Sequence, residues 1–270
     1  MRAVKAAIDA SGALTARNVD VFPQGSYYNR TNVRAESDVD ICVRCRDPFF
    51  FEVPSGTTLS NFGYGLVPEN SFDLYRAQVG TALRARFGLA AVRTGTKAFE
   101  IHENTYRIAA DVVAVLEYRS FRVGAPPVLG AAFKCQGQTI VNYPEQHYAN
   151  GIAKNDATGR RFKGVARILK RMRYEMMNAR VASAEAAASF AIESMVWNVP
   201  DPNFGGVAIR DDVSAAIRHL YHAMENDQSA STLREINGIK PLFGAGQPWT
   251  REQLRAFLYD AWNFAGFSHD

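Results

Sequence analysis

The chain has 270 residues, 47% of them hydrophobic and 21% charged, which is enough for a real core and too apolar for disorder. Its net charge of +4 and pI near 9.0 suit a polyanionic ligand, a nucleoside triphosphate or a nucleic acid, without choosing between them. No apolar run reaches the roughly 20 residues that span a bilayer, and the opening MRAVKAAIDASGAL lacks a signal-peptide core. Together with an odd count of three cysteines, this predicts a cytoplasmic protein with no membrane partner. Cys42 and Cys45 form a CxxC, but they stand in an apolar strand-like run with no second ligand pair at zinc-site spacing. They read as core.

In chain order, an opening helix leads to VDVFPQGS, a short strand running into a turn, and then to SDVDICVRC, a second strand rich in β-branched residues. Residues 72–87 have helical spacing, with Leu74, Val79 and Leu83 on the inner face. Strand-like runs follow at 97–102, 106–118 and 133–135, the Pro126-Pro127 pair breaking the chain between the last two. From residue 156 onward helices dominate, at 159–178, 184–199, 213–225 and 251–267. The class is therefore α+β: a strand-rich lobe with a mixed sheet over 1–150 and a helical lobe over 151–270. A ligand site is expected in the cleft between them.

The chemistry concentrates in GSYYNRTNVRAESDVDICV, residues 25–43. Gly25-Ser26 follows a strand, and a small backbone with a hydroxyl lets amides approach phosphate oxygens. Asp38 and Asp40 are two apart on a strand and share a face. Two carboxylates so placed repel unless a cation lies between them, and oxygen-only ligands favour Mg²⁺ or Mn²⁺. Asp111 is a lone acid in the apolar run YRIAADVVAVLEY, costly to bury unless paired or metal-bound. Taken alone it reads as a turn cap or a residue at the strand's exposed edge. Beside the Asp38/Asp40 pair it completes a three-carboxylate set for two-metal nucleotidyl transfer. No His/Asp partner makes Ser26 a hydrolase nucleophile, no Walker motif is present, and the five histidines do not assemble.

The order GS, then DVD about a dozen residues later, then a lone strand Asp, resembles the nucleotidyltransferase superfamily of DNA polymerase β. More narrowly, FPQGSY and VNYPEQHYANGIAKNDATGRRFKGVARILKRMR resemble the bacterial cGAS/DncV-like nucleotidyltransferases (CD-NTases), over residues 20 to 200. The resemblance gives roles to residues that spacing only flags. Arg160, Lys163, Arg167, Lys170 and Arg171 form a basic stripe on one helix, most of it a solvated face. The resemblance gives Lys170 a triphosphate contact, with Ser189 on the next helix joining it. Phe190, otherwise a core residue, would stack on a base. Asn142 follows the strand-like QTIV, where relatives place a base-reading residue. Asn there is associated with pyrimidine use, notably in the clade E enzymes. A turn cap before Pro144 accounts for Asn142 equally well, and Asn155 is either a second candidate or the cap of the following helix.

The resemblance implies a cyclic dinucleotide synthase in antiphage signalling. It would use nucleoside triphosphates, UTP and ATP among them, with pyrimidine in the product if Asn142 reads a base. A separate protein would receive the signal, and nucleic acid would not be required. A rival keeps the chemistry and transfers nucleotides to an RNA, small-molecule or protein acceptor. A further rival, a non-catalytic sensor, is disfavoured by the intact carboxylates.

Overall fold

The computed structural model describes residues 1–33, 39–65, 71–103 and 109–268, which form two compact units. One comprises Met1–Tyr28 and Glu36–Pro144, the other Asn29–Ala35 and Glu145–Asp270.

The first unit is a seven-stranded mixed sheet with helices on one face. Its strands are β1 (Val19–Pro23), β2 (Val39–Glu52), β3 (Val92–Thr94), β4 (Phe99–Ile101), β5 (Ala110–Arg122), β6 (Ala125–Cys135) and β7 (Gln138–Asn142). The order runs β1-β2-β5-β4-β3, with β6 on the later half of β5 and β7 on β6. β2 and β5 run parallel, and the other pairings are antiparallel. Helices α1 (Arg2–Asp9), α2 (Gly12–Thr15) and α4 (Ser71–Phe87) bury Val4, Ile8, Leu14, Tyr75, Val79 and Leu83 against Ile41, Val43 and Val112 of the sheet. The short helix α3 (Gly25–Tyr28) follows β1. All three cysteines are buried free thiols, as a core reading requires.

Two details depart from the sequence expectation. Leu74 is 57% exposed, because the buried stripe of α4 runs through Phe72, Tyr75, Val79, Ala82 and Leu83 instead. Tyr75 is drawn in by its hydroxyl, which donates to the Val43 carbonyl at 2.9 Å. Pro126 and Pro127 do not break the chain but lie inside β6, just after the hairpin turn. The register shifts between Ser120 and Arg122 opposite them, so the two missing amides fall at an irregularity near a strand start, where proline is tolerated.

The second unit is helical: α5 (Pro144–Ala157), α6 (Phe162–Asn178), α7 (Ser183–Ala186), α8 (Ser189–Trp197), α9 (Ile209–Ala223), α10 (Asp227–Ala230) and α11 (Arg251–Phe264). Its core joins Phe162, Leu169 and Met176 of α6 to Ile192 and Met195 of α8, Ile217 and Leu220 of α9, and Leu254 and Phe257 of α11. Helix α5 runs through a stretch in which no helix was expected. Asn155 lies within it, and its side-chain oxygen accepts the Lys163 amide at 3.2 Å, so it caps α6 from the preceding helix. Among the described residues no helix is long and apolar enough to cross a membrane.

Candidate active site

Strand β1 delivers the chain to Gln24 and Gly25, and both are fitted to Asp40. The Gln24 amide donates to the Asp40 carbonyl oxygen at 3.0 Å. Gly25 has φ +74°, and a Cβ built on it would stand 1.9 Å from Asp40 Oδ2. Only a residue without a side chain lets this turn lie against that carboxylate. Ser26, the next residue, is half-buried in α3.

Asp40 is in register with Asp111 on the parallel strand β5. Registered residues on neighbouring strands project from the same face about 4.8 Å apart, so the two half-buried carboxylates share one patch. Ile41 and Val112, the next residue on each strand, are buried on the helix-covered face. A one-residue slip of either strand would bury its carboxylate, so the core itself enforces the pairing. On the other side of Asp111, Glu100 of β4 is also in register, but its carboxylate is engaged by Arg93 Nε at 2.8 Å and Nη2 at 3.1 Å. Asp38, the expected third carboxylate, lies outside the described residues. Among the described residues no group of three or more acidic, histidine or cysteine side chains forms a metal site. Asp40 and Asp111 are the part of the set that the described structure brings together.

Asn142 closes β7 opposite Ala131, with its side chain exposed. A Cβ on Gly130 would stand 2.7 Å from the Asn142 carbonyl oxygen and 3.0 Å from the Tyr143 ring, so a bare glycine makes room for this corner.

In the helical unit the expected 184–199 helix is interrupted. Ala187 and Ala188 leave helical geometry with ψ of 83° and 142°, and α8 begins afresh at Ser189. Ser189 is therefore the first residue of a nine-residue helix, where unpaired amides and the helix dipole favour an anion. Phe190 beside it is 37% exposed, flanked by the rings of His147 (centroids 5.6 Å apart) and Trp249 (6.2 Å).

Lys170, to which the resemblance gives a triphosphate contact, is engaged within the helical unit in this structure. It is only 2% exposed. Its ammonium donates to Glu193 Oε2, to Thr31 Oγ1 at 3.2 Å and to the Thr31 carbonyl at 3.3 Å, which uses all three hydrogens. Thr31 in turn donates its hydroxyl to Glu193 Oε2 at 2.6 Å, and His147 Nε2 lies 3.0 Å from Glu193 Oε1. Burial alone would push the Glu193 carboxyl up, but the His147 hydrogen bond and the Lys170 charge outweigh it and hold it down at about 2. The carboxylate is thus ionised, so the His147 Nε2 carries the proton it shares. The rest of the basic stripe divides. Arg167 and Arg171 are exposed on α6, Lys163 is half-buried with its ammonium pushed down by that burial, and Arg160 precedes the helix at φ +68°.

Comparison with known proteins fits this division. Residues 149–266 match the cGAS/DncV-like nucleotidyltransferase C-terminal helical domain. The cyclic dipyrimidine nucleotide synthase CdnE of Legionella pneumophila is 37% identical over 97% of this chain and 89% of its own length. The chain belongs to the cGAS/DncV-like nucleotidyltransferases. Another CD-NTase, the cyclic UMP-AMP synthase of Rhodothermus marinus, is 32% identical over 88% of this chain and 82% of its own length. A solved structure of Rhodothermus marinus CdnE c-UMP-AMP synthase, holding Apcpp and Upnpp, aligns with a TM-score of 0.85 at 30% identity, covering all of this chain and 91% of that one. The α+β class and the nucleotidyltransferase assignment read from the sequence both stand.

Three residues of the CD-NTase helical unit escaped the sequence reading: Thr31, His147 and Glu193. One signal for them was present. Glu193 is a lone acid in the apolar stretch SFAIESMVW, the same anomaly that singled out Asp111.

Proposed function

We propose that this CD-NTase joins two nucleoside triphosphates into a cyclic dinucleotide, with at least one pyrimidine base. The observation that carries the reading is the register of Asp40 with Asp111, with the bare Cα of Gly25 against Asp40. A turn of this kind brings phosphate-facing amides next to a carboxylate pair. The donor set is oxygen-only and paired, which fits Mg²⁺ or Mn²⁺. Asp40 and Asp111, with Asp38, would hold it, and when bound it supplies charge neutralisation for the triphosphate and acidifies a ribose hydroxyl.

Each transfer forms one bond between a ribose oxygen and an α-phosphorus and breaks the bond to pyrophosphate, which leaves. The first gives a linear dinucleotide and the second closes the ring, so two pyrophosphates are released per product. The Gly25-Ser26 turn and the start of α8 at Ser189 receive phosphate oxygens, while the partly exposed Phe190 ring offers itself to a base. Asn142, exposed at the end of β7, offers a donor and an acceptor to a pyrimidine edge. Lys170 serves these groups from behind, by fixing Glu193 on α8. The cyclic dipyrimidine synthases CdnE of Legionella pneumophila and Cecembia lonarensis support the pyrimidine assignment.

The test is to incubate the protein with the four ribonucleoside triphosphates and Mg²⁺ or Mn²⁺, treat with phosphatase, and analyse the products by mass spectrometry. A phosphatase-resistant cyclic dinucleotide containing uracil or cytosine is expected. Nucleotide appearing only on an added RNA or protein acceptor would overturn the reading.

Gly25→Ala tests the turn. The methyl meets Asp40 Oδ2, and alanine at φ +74° costs a further 1–2 kcal/mol or so. Because a displacement of about an ångström at reacting groups can cost about a hundredfold, turnover is expected to fall by about that factor. Wild-type turnover in this variant would mean that the turn does not set the carboxylate.

A further inference from the structure

The polar cluster of the helical unit draws on four separate segments: Thr31, His147 on α5, Lys170 on α6 and Glu193 on α8. Lys170 and Glu193 are 2% and 3% exposed. Stability alone does not account for it, because a well-packed apolar group of the same volume is often as stable as a buried ion pair, or more so. What the cluster does supply is direction. Glu193 lies three residues after Phe190 on α8, one turn along the same face. His147 is held at its Nε2 by Glu193, while its ring lies 5.6 Å from the Phe190 ring at a tilt of 36°. The Trp249 ring also lies near Phe190, at 6.2 Å and 42°, and is itself fixed by its indole N–H donating to the Leu242 carbonyl at 2.9 Å. A phenyl ring free to turn about its own bonds makes a poor platform, since ordering it on binding costs affinity.

We propose that His147 is a positioning residue for nucleotide recognition, pinned by the Lys170–Glu193–Thr31 cluster so that its ring fixes the pitch of Phe190. This rests on the reading of Phe190 as a base platform. His147 touches no substrate in this scheme and acts through Phe190. Trp249 is the second ring beside Phe190.

A double-mutant cycle tests the proposal. His147→Gln keeps a donor for Glu193 and removes the ring, so the fold is expected to survive with little change in thermal midpoint. Binding of non-hydrolysable ATP and UTP analogues is measured for wild type, His147→Gln, Phe190→Ala and the double variant. Loss of stacking predicts roughly tenfold weaker binding of at least one analogue to Phe190→Ala. His147→Gln is expected to weaken the same analogue roughly fivefold, and the double variant to bind no more weakly than Phe190→Ala alone. In turnover, KM is expected to rise while kcat changes by less than about twofold. Wild-type affinity in His147→Gln beside a weakened Phe190→Ala would overturn the His147 proposal alone, and so would two losses that multiply. Wild-type affinity in Phe190→Ala would overturn the stacking reading itself, and the His147 proposal with it.

Discussion

Asp111→Asn is expected to abolish nucleotide transfer, by about a thousandfold or more, while leaving the thermal midpoint little changed. Asparagine has the same shape, so β5 keeps its pairing with β2 and the buried Val112 keeps its place. What disappears is one of the two carboxylates held in register, and with it an anionic oxygen that would bind a cation. The neighbouring acid cannot stand in. Glu100 is in register with Asp111, but both of its oxygens are engaged by Arg93. Steady-state rates with Mg²⁺ and Mn²⁺, beside a melting curve, decide the matter. Activity within tenfold of wild type would remove Asp111 from the centre, and a marked loss of stability would make it a structural residue.

The second large effect concerns stability. Lys170→Met leaves Glu193 buried among apolar helices with its main counter-charge gone, and such a loss typically costs about 3–5 kcal/mol. For a unit of this size that is a fall in melting temperature on the order of 10 °C. Replacing both partners, Lys170→Met with Glu193→Leu, is expected to recover much of the loss, since no stranded charge remains. The pH dependence follows the same pair. Glu193 is held down from an ordinary 4.5 to about 2. A carboxyl depressed in the fold contributes stability that is fully present above 4.5 and is lost as pH falls from there towards 2. Glu193→Gln should therefore flatten the stability profile across that acid window. Equal slopes for wild type and variant would show that Glu193 does not carry the acid sensitivity.

Asp40 and Asp111 were each conspicuous in the sequence, one in a DxD and the other as a lone acid in an apolar run, but what sets them side by side is the pairing of β2 with β5. Lys170 shows where such reasoning stops. Helical spacing places it in a basic row with Lys163, Arg167 and Arg171, but it cannot tell which cation turns inward. That is decided by Glu193, which lies 23 residues away, and by Thr31, 139 residues away. The break before Ser189 was hidden by composition: AEAAA is alanine-rich and favours helix at every position, and tertiary packing overrides it. Leu74 failed for a similar reason. Both Leu74 and Tyr75 suit a buried stripe, and the hydroxyl bond to Val43 settles which one is inside.

The pairing of β2 with β5 also governs when the centre can come into being. Residues 53–109 separate the two strands in the chain, so they meet only after a long loop has closed, and parallel pairings of this kind form slowly. Helices complete their local bonds far sooner. The register that sets Asp40 beside Asp111 therefore depends on that late closure and on no contact local to either strand. The Asp40–Asp111 pair is complete only once the sheet has closed.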